Sequence, residues 1–262
     1  MIQVAGATIC FDGFEDTDFI HTFDKLPQTG IRFIEFNAWF PKNLTAAKLR
    51  DIKLRCERTG LVPAVLHGSG FGGSLTKDVC HKLRMIDAAN ALGIRRISAT
   101  GAGRGTEGGL AHIIAVLKEI APYAQENDTL ICLENHAGNN LEFIDDYQAI
   151  FDAVDSPSLG VCLDDGHFDA SAVDMNALID RFGLKINHIH VKENKGKGAV
   201  NFVCFGEGET DHENVIRRMA GLGYQGFVTI EISPRKERPT TVDDMRHANA
   251  VISAIIKEAT AT

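Results

Sequence analysis

A closed barrel of eight parallel β-strands alternating with eight helices is predicted by three features of this sequence. Apolar runs recur at regular spacing, helical periodicity fills the gaps between them, and no linker or shift of composition divides the 262 residues. The apolar runs cover residues 2–10, 31–36, 61–67, 94–99, 129–134, 159–164, 186–191 and 227–232. Each is nearly continuous and rich in Ile, Val and Leu, as a parallel strand buried on both faces must be. Between them, apolar residues return every three to four positions, most clearly over 46–56, and similarly over 78–92, 110–125, 141–153, 172–182, 212–222 and 242–259, with a shorter segment at 16–26. Gly60, Gly93 and Gly223 stand where a helix ends just before the next strand, the usual place for a C-terminal cap. The expected unit is one strand plus one helix, used eight times in a single domain spanning 1–262. An open doubly wound sheet competes, but it needs a switch point and usually fewer strands.

Composition agrees with a globular chain. Apolar residues make up 44% and charged residues 24%, which excludes intrinsic disorder and collagen-like repeats. Lys and Arg number 27 against 35 Asp and Glu, a net charge of −8, and no basic stripe is available to displace counterions from phosphates, so nucleic acid is not an expected partner. The first residues lack the basic region, apolar run and cleavage site of a signal peptide, and no apolar stretch approaches the length of a membrane span. The chain therefore reads as cytoplasmic and soluble, with no membrane partner. Cys10, Cys56, Cys80, Cys132, Cys162 and Cys204 are widely spaced and form no CxxC pair, so they read as small core hydrophobes.

In such a barrel chemistry sits at the C-terminal ends of the strands. The residues ending the apolar runs are of metal-ligand type: Glu35, His67, Glu134 followed by His136, Asp164 followed by His167, His188 with His190, and Glu231. Any one of them alone reads equally as a solvated loop carboxylate or a hydrogen-bonded core histidine. Their recurrence at six of eight strand ends is what random placement rarely gives. Glu134, Asp164, His190 and Glu231 fall on strands five to eight. Together they make an oxygen-rich set for one divalent ion (Mn²⁺, Mg²⁺, Co²⁺ or Zn²⁺) with positions left for substrate oxygens. Three carboxylates so close together also need a cation, because their mutual repulsion otherwise raises their pKa values.

The segments Leu133-Glu134-Asn135-His136, Leu163-Asp164-Asp165-Gly166-His167, His188-Ile189-His190-Val191-Lys192-Glu193, Phe205-Gly206-Glu207-Gly208-Glu209 and Ile230-Glu231-Ile232 resemble, in order and spacing, the sugar phosphate isomerase/epimerase family of xylose isomerase-like barrels. The resemblance covers nearly the whole chain. It implies metal ligands at Glu134, Asp164, His190 and Glu231, a substrate-contacting histidine at His167, and a tendency to form homo-oligomers. It also implies a mechanism. The metal holds the carbonyl and adjacent hydroxyl of a small keto sugar, keto acid or cyclic polyol, while Glu134 and Glu231 move the proton on opposite faces of a cis-enediolate. Ketose 3-epimerases of the family carry an acidic residue six places after the strand-five glutamate and an arginine six places after the strand-seven histidine, where this sequence has Asn140 and Gly196. Lys192-Glu193 is more similar to branches acting on inososes, hydroxypyruvate or other oxo acids and cyclic polyols.

Secondary candidates complete the reading. His67, Glu35, Lys192, Trp39 and His136 are expected to contact substrate. Glu35 has the alternative of holding neighbouring ligands, and Lys192 that of a surface lysine paired with Glu193. Trp39 and Phe40 supply an apolar wall or lid. The segment 68–73 formally matches GxGxxG, but no acidic residue ends the next strand, so no nucleotide cofactor is expected and the segment reads as a flexible loop over the mouth. Gly101 to Gly105 with Arg104 reads as an anion cradle or a turn. Residues 234–239 carry charges that attract an anionic substrate or form a solvated loop. The competing functions are a metal-dependent dehydratase of a cyclic hydroxy-keto compound, an endonuclease similar to the apurinic-site nucleases, and a sugar-binding barrel without turnover.

Overall fold

The structure, a computed structural model, describes residues 1–14, 18–235 and 238–261. Among them β1 (Gln3–Ala7), β2 (Phe33–Asn37), β3 (Val62–Gly68), β4 (Arg96–Thr100), β5 (Leu130–Glu134), β6 (Leu159–Asp164), β7 (Ile186–Val191) and β8 (Phe227–Ile230) pair in parallel in chain order, and β8 closes onto β1. The expected closed barrel is therefore present. Its helices are α1 (Ile9–Asp12), α2 (Ile20–Lys25), α3 (Ala46–Thr59), α4 (Leu75–Leu92), α5 (Gly109–Glu126), α6 (Ile144–Ala153), α7 (Asp165–Ala170), α8 (Met175–Phe182), α9 (His212–Gly221) and α10 (Val242–Ala259). None among the described residues is long and apolar enough to cross a membrane.

The departures from the expected elements have local causes. The run 2–10 does not continue as a strand past Ala7, because Asn37 Oδ1 accepts hydrogen bonds from the Thr8 hydroxyl at 3.0 Å and the Ile9 amide at 2.9 Å and turns the chain into α1. The segment 172–182 starts late, at Met175, where the Asp174 side chain caps the first amides of α8. The helix α7, absent from the sequence reading, follows β6 without a loop, since Asp164 caps it by accepting from the His167 amide at 2.8 Å. Of the short segment 16–26, positions 16 and 17 lie outside the described residues, and the rest forms α2 and a turn of 3₁₀-helix. All six cysteines are free thiols, five of them buried as expected, but Cys80 is exposed on α4.

Apolar side chains divide into two zones. The larger lies between strands and helices and includes Ile34, Ile52, Met85, Ile120, Tyr147, Ile216 and Met245, all essentially inaccessible. The smaller plugs the N-terminal end of the barrel interior, where Ala5, Ala64 and Val65 meet Phe33 and Phe227, whose rings lie 5.2 Å apart. Above this plug the inward positions of the strands turn polar. Side chains two apart point to the same face of a strand, so His188 and His190 on β7 both enter the interior, and the register sets Asp164 beside His190.

Gly166, in the first turn of α7, fixes how closely this helix approaches the end of β7. A Cβ there would stand 2.2 Å from the Lys192 carbonyl oxygen. Gly166→Ala is expected to destabilise the protein by about 2 kcal/mol through overpacking. That corresponds to a loss of roughly 4–8 °C in Tm for a domain near this size. Thermal melts followed by circular dichroism check it, and an unchanged Tm contradicts the close packing described.

Candidate functional site

Glu134 ends β5, Asp164 ends β6, His190 lies one residue before the end of β7, and Glu231 follows β8. These strand ends bring one ligand atom from each of the four within 4.8 Å of the others. His190 is the hub. Its Nδ1 lies 2.6 Å from Glu134 Oε1, 3.3 Å from Glu231 Oε2 and 4.0 Å from Asp164 Oδ2, while its Nε2 lies 2.9 Å from Glu35 Oε1. Glu35 accepts a second hydrogen bond from His188 Nε2 at 2.8 Å. One carboxylate beneath the cluster thus orients two imidazoles, an arrangement typical of the outer sphere of a metal-binding histidine.

Lys192 is buried, not on the surface, and does not pair with Glu193. Its Nζ stands 2.6 Å from Glu231 Oε1 and 3.3 Å from Asp164 Oδ2, with the Phe202 ring 5.0 Å away. Apart from this ion pair, the buried Asp164 Oδ2 makes no hydrogen bond. Three carboxylates and one imidazole, one carboxylate oxygen lacking a hydrogen bond, fit a hard or borderline divalent cation by donor chemistry.

The charges explain the pKa directions. Burial, with Glu231 and Glu134 close by, pushes Asp164 up to about 7 against the pull of Lys192. Burial opposes ionisation of Glu231 too, but Lys192 and His190 hold it well below the usual carboxylate range. Glu35 is likewise held well below that range by His190 and His188 in spite of its burial. Burial works against a charged His190, yet Cys162, Glu35 and Glu134 push it well above the ordinary imidazole value. His167 goes the other way: burial, Lys192 and His136 drive it well below that value, so it is neutral. The Ala137 amide donates to its Nδ1 at 3.3 Å, which leaves the hydrogen on Nε2.

A cavity of about 370 Å³ opens above the cluster. Glu134, Glu231, Lys192, His167, His136 and His67 all border it. His67 is fixed by Ser98, whose Oγ lies 2.9 Å from its Nδ1, and His136 sits exposed at the rim with its ring 3.8 Å from that of His167. Trp39 borders the cavity as expected and stacks on Phe14 with centroids 5.6 Å apart. Glu35, expected as a substrate contact, is fully buried below the cluster and does not border the cavity. Both its oxygens face ring nitrogens, so it holds the neighbouring histidines instead.

Three weaker candidates resolve as follows. Of its two readings the segment 101–105 takes the turn, with Glu142 and Asp146 holding the Arg104 guanidinium at 3.1 and 2.6 Å. The segment 68–73 is not a loose flap over the mouth. Phe71 is buried and its amide donates to the Thr100 carbonyl at 3.1 Å, while Lys82 bonds the Ser69 carbonyl. In the segment 234–239, positions 236 and 237 lie outside the described residues, and Arg238 pairs with Glu207 and Asp244. The sequence reading missed Phe14 and Phe202, which wall the cavity from loops, where no periodicity marks them.

A family model for xylose isomerase-like TIM barrels matches residues 23–251. The rhizopine catabolism protein MocC of Rhizobium meliloti is 24% identical over 151 residues, 51% of this chain and 46% of that protein, so the match spans less than half of the relative's length. Among solved structures, an L-ribulose 3-epimerase superposes with a TM-score of 0.80 at 18% identity, covering 99% of this chain and 96% of the other. The IolI protein, crystallised with a zinc atom, superposes with a TM-score of 0.77 at 16% identity, covering 98% and 99%. At these identities the likeness is one of fold.

Asp164 gives the metal-free protein a distinctive pH dependence. An acid whose pKa is raised on folding contributes stability that is complete below its unfolded value near 4 and is lost as pH rises through about 7. Asp164→Asn removes this contribution. In the presence of a chelator, the Tm of the variant minus that of the wild type is therefore expected to increase from pH 4 to 7 and level off above. A difference that stays constant across that range contradicts the electrostatics described.

Proposed function

The chain belongs to the xylose isomerase-like TIM barrel family, and from that premise we propose that it is a divalent-metal-dependent isomerase or epimerase of a small keto sugar, keto acid or cyclic polyol. The observation that carries the reading is the convergence of Glu134, Asp164, His190 and Glu231, one ligand atom of each within 4.8 Å of the others, at the floor of a cavity of small-molecule size. The structural likeness to an L-ribulose 3-epimerase and to a zinc-containing barrel supports it.

The four residues are the proposed ligands of the ion, with Glu35 orienting His190 from below. A divalent ion there supplies positive charge that acidifies a C–H next to a carbonyl and offsets the charge of the resulting enediolate. Glu231 is ionised and borders the cavity, so it is the proposed base. Glu134 borders the same cavity and is the second proton carrier. Return of the proton by the carboxylate that removed it transfers hydrogen between adjacent carbons on one face, whereas return by the other inverts the carbon. His167 presents its Nε2–H as a neutral donor to the oxygen on which negative charge grows. Lys192 places an ammonium beside the same oxygens, and Trp39, Phe14 and Phe202 cover the apolar face of the substrate and exclude water.

The test is deuterium uptake from D₂O by mass spectrometry, using Mn²⁺-loaded protein with D-fructose, D-tagatose, 2-keto-myo-inositol and hydroxypyruvate as probes. Uptake next to the carbonyl of at least one probe is expected, abolished by chelator. Glu231→Gln is expected to slow it by about 10²–10⁴-fold, the usual contribution of a general base. Mass loss of one water identifies the dehydratase reading instead, and no uptake at confirmed metal occupancy overturns the proposal.

A further inference from the structure

A buried polar relay leads into the site from outside it. The Lys192 amide donates to Asp165 Oδ1 at 2.9 Å, and Asp165 Oδ2 lies 2.6 Å from His212 Nδ1, the first residue of α9. Asp165 and His212 are almost wholly inaccessible, and neither borders the cavity. On its far side His212 Nε2 stands 3.7 Å from Glu193 Oε2. Glu193 accepts from the amides of Gly206 at 3.0 Å and Thr210 at 3.1 Å, so the same imidazole joins the ends of β6 and β7 to the loop before α9. Phe205 stacks on the His212 ring with centroids 5.0 Å apart and planes 24° apart. Against the effect of burial, Asp165 and Glu193 push His212 up to about 10, which makes it a buried cation between two carboxylates.

Lys192 has four carbons between its backbone and its ammonium, so the direction of the side chain depends on where that backbone is held. Gly166 fixes it from one side by close approach and Asp165 by a hydrogen bond. We propose that His212 is a positioning residue: acting through Asp165, it sets the Lys192 backbone so that the ammonium stands between Asp164 and Glu231. The consequence for turnover rests on the proton-transfer reading given above, but the positioning itself is measurable without metal or substrate.

The experiment is reductive methylation of the 262-residue chain with formaldehyde and a borohydride, quantified at Lys192 by peptide mass spectrometry. In the wild type the paired, buried amine is protected. His212→Phe keeps an aromatic ring but loses the donor, and Lys192 is expected to react about tenfold faster, which corresponds to ~1.4 kcal/mol in the equilibrium that frees the amine. His212→Asn places an amide N–H where Nδ1 stands and is expected to restore protection to within about twofold of wild type. Lys82, a buried lysine on α4, is the control for loosening of the whole fold. Equal acceleration of Lys82 and Lys192, or a folded His212→Phe protein whose Lys192 reacts at the wild-type rate, overturns the proposal. Should His212→Phe fail to fold, His212→Gln, whose amide reaches toward Glu193 and leaves Asp165 unpartnered, is expected to deprotect Lys192 in the same way. Wild-type protection in His212→Gln is equally decisive against it. Failure of the deuterium assay leaves this outcome unaffected, and the reverse also holds.

Discussion

Repulsion among Glu134, Asp164 and Glu231 is the constraint on which the rest of the molecule depends. Two like charges about 4 Å apart cost on the order of 4 kcal/mol at the effective dielectric near a protein surface, and these three carboxylates place ligand atoms within 4.8 Å of one another while almost fully buried. The surrounding residues answer with two cations, His190 and Lys192, and a fourth carboxylate, Glu35. Glu35 holds His188 and His190 from the buried side, His190 faces Glu134 and Glu231, and Lys192 stands beside Asp164 and Glu231. Asp164 Oδ2, 3.3 Å from the Lys192 ammonium, still makes no hydrogen bond. Two cations thus face four buried carboxylates, an excess that a bound cation would offset.

The fold makes such crowding sustainable. Parallel strands all end at the same rim, so strand-end residues from β5, β6, β7 and β8 converge without any long loop having to hold them. Apolar side chains at the opposite end close the interior with the Phe33 and Phe227 rings, and the strand–helix layer supplies the main core. Stability therefore resides largely in zones that the polar rim does not share. The rim is held instead by short backbone devices: Asp164 caps α7, Asn135 exchanges two hydrogen bonds with the backbone of Asp164, and Gly166 admits the end of β7.

This division also governs what could be read from the sequence. Strands β6 and β7 were legible to the residue, because continuous burial on both faces leaves an unbroken apolar run whose end is the rim itself. The same logic made Glu134, Asp164, His190 and Glu231 visible as a group. What stayed hidden depends on direction within the interior or on loops. Glu35 ends an apolar run like the others, and the run does not tell its two readings apart; its oxygens meet His188 and His190 and not the cavity. Lys192 was legible as a substrate contact, but its pairing with Asp164 and Glu231, from a backbone held by Gly166 and Asp165, was not. Phe14 and Phe202 come from irregular segments, where neither period of two nor period of 3.6 applies. The glycines at 68–73 suggest freedom, but burial of Phe71 and the bond from its amide to Thr100 remove it.

His190 links Glu35 to the carboxylates of the cluster. One ring nitrogen faces Glu35, and that carboxylate, held strongly acidic by two imidazoles, fixes a hydrogen on Nε2. The other faces Glu134 and Glu231, and in the metal-free protein it carries the second hydrogen of an imidazolium. A ligand imidazole must be neutral at the nitrogen it offers. An ion held by Nδ1 would therefore take the place of a proton between these carboxylates, with Glu35 at the other ring nitrogen. A divalent ion there would add one positive charge where repulsion is greatest and would face Asp164 Oδ2 together with the Lys192 ammonium. Four ligand atoms thus stand close together around a place that a proton on His190 now holds, with Lys192 as the other resident cation there among the described residues.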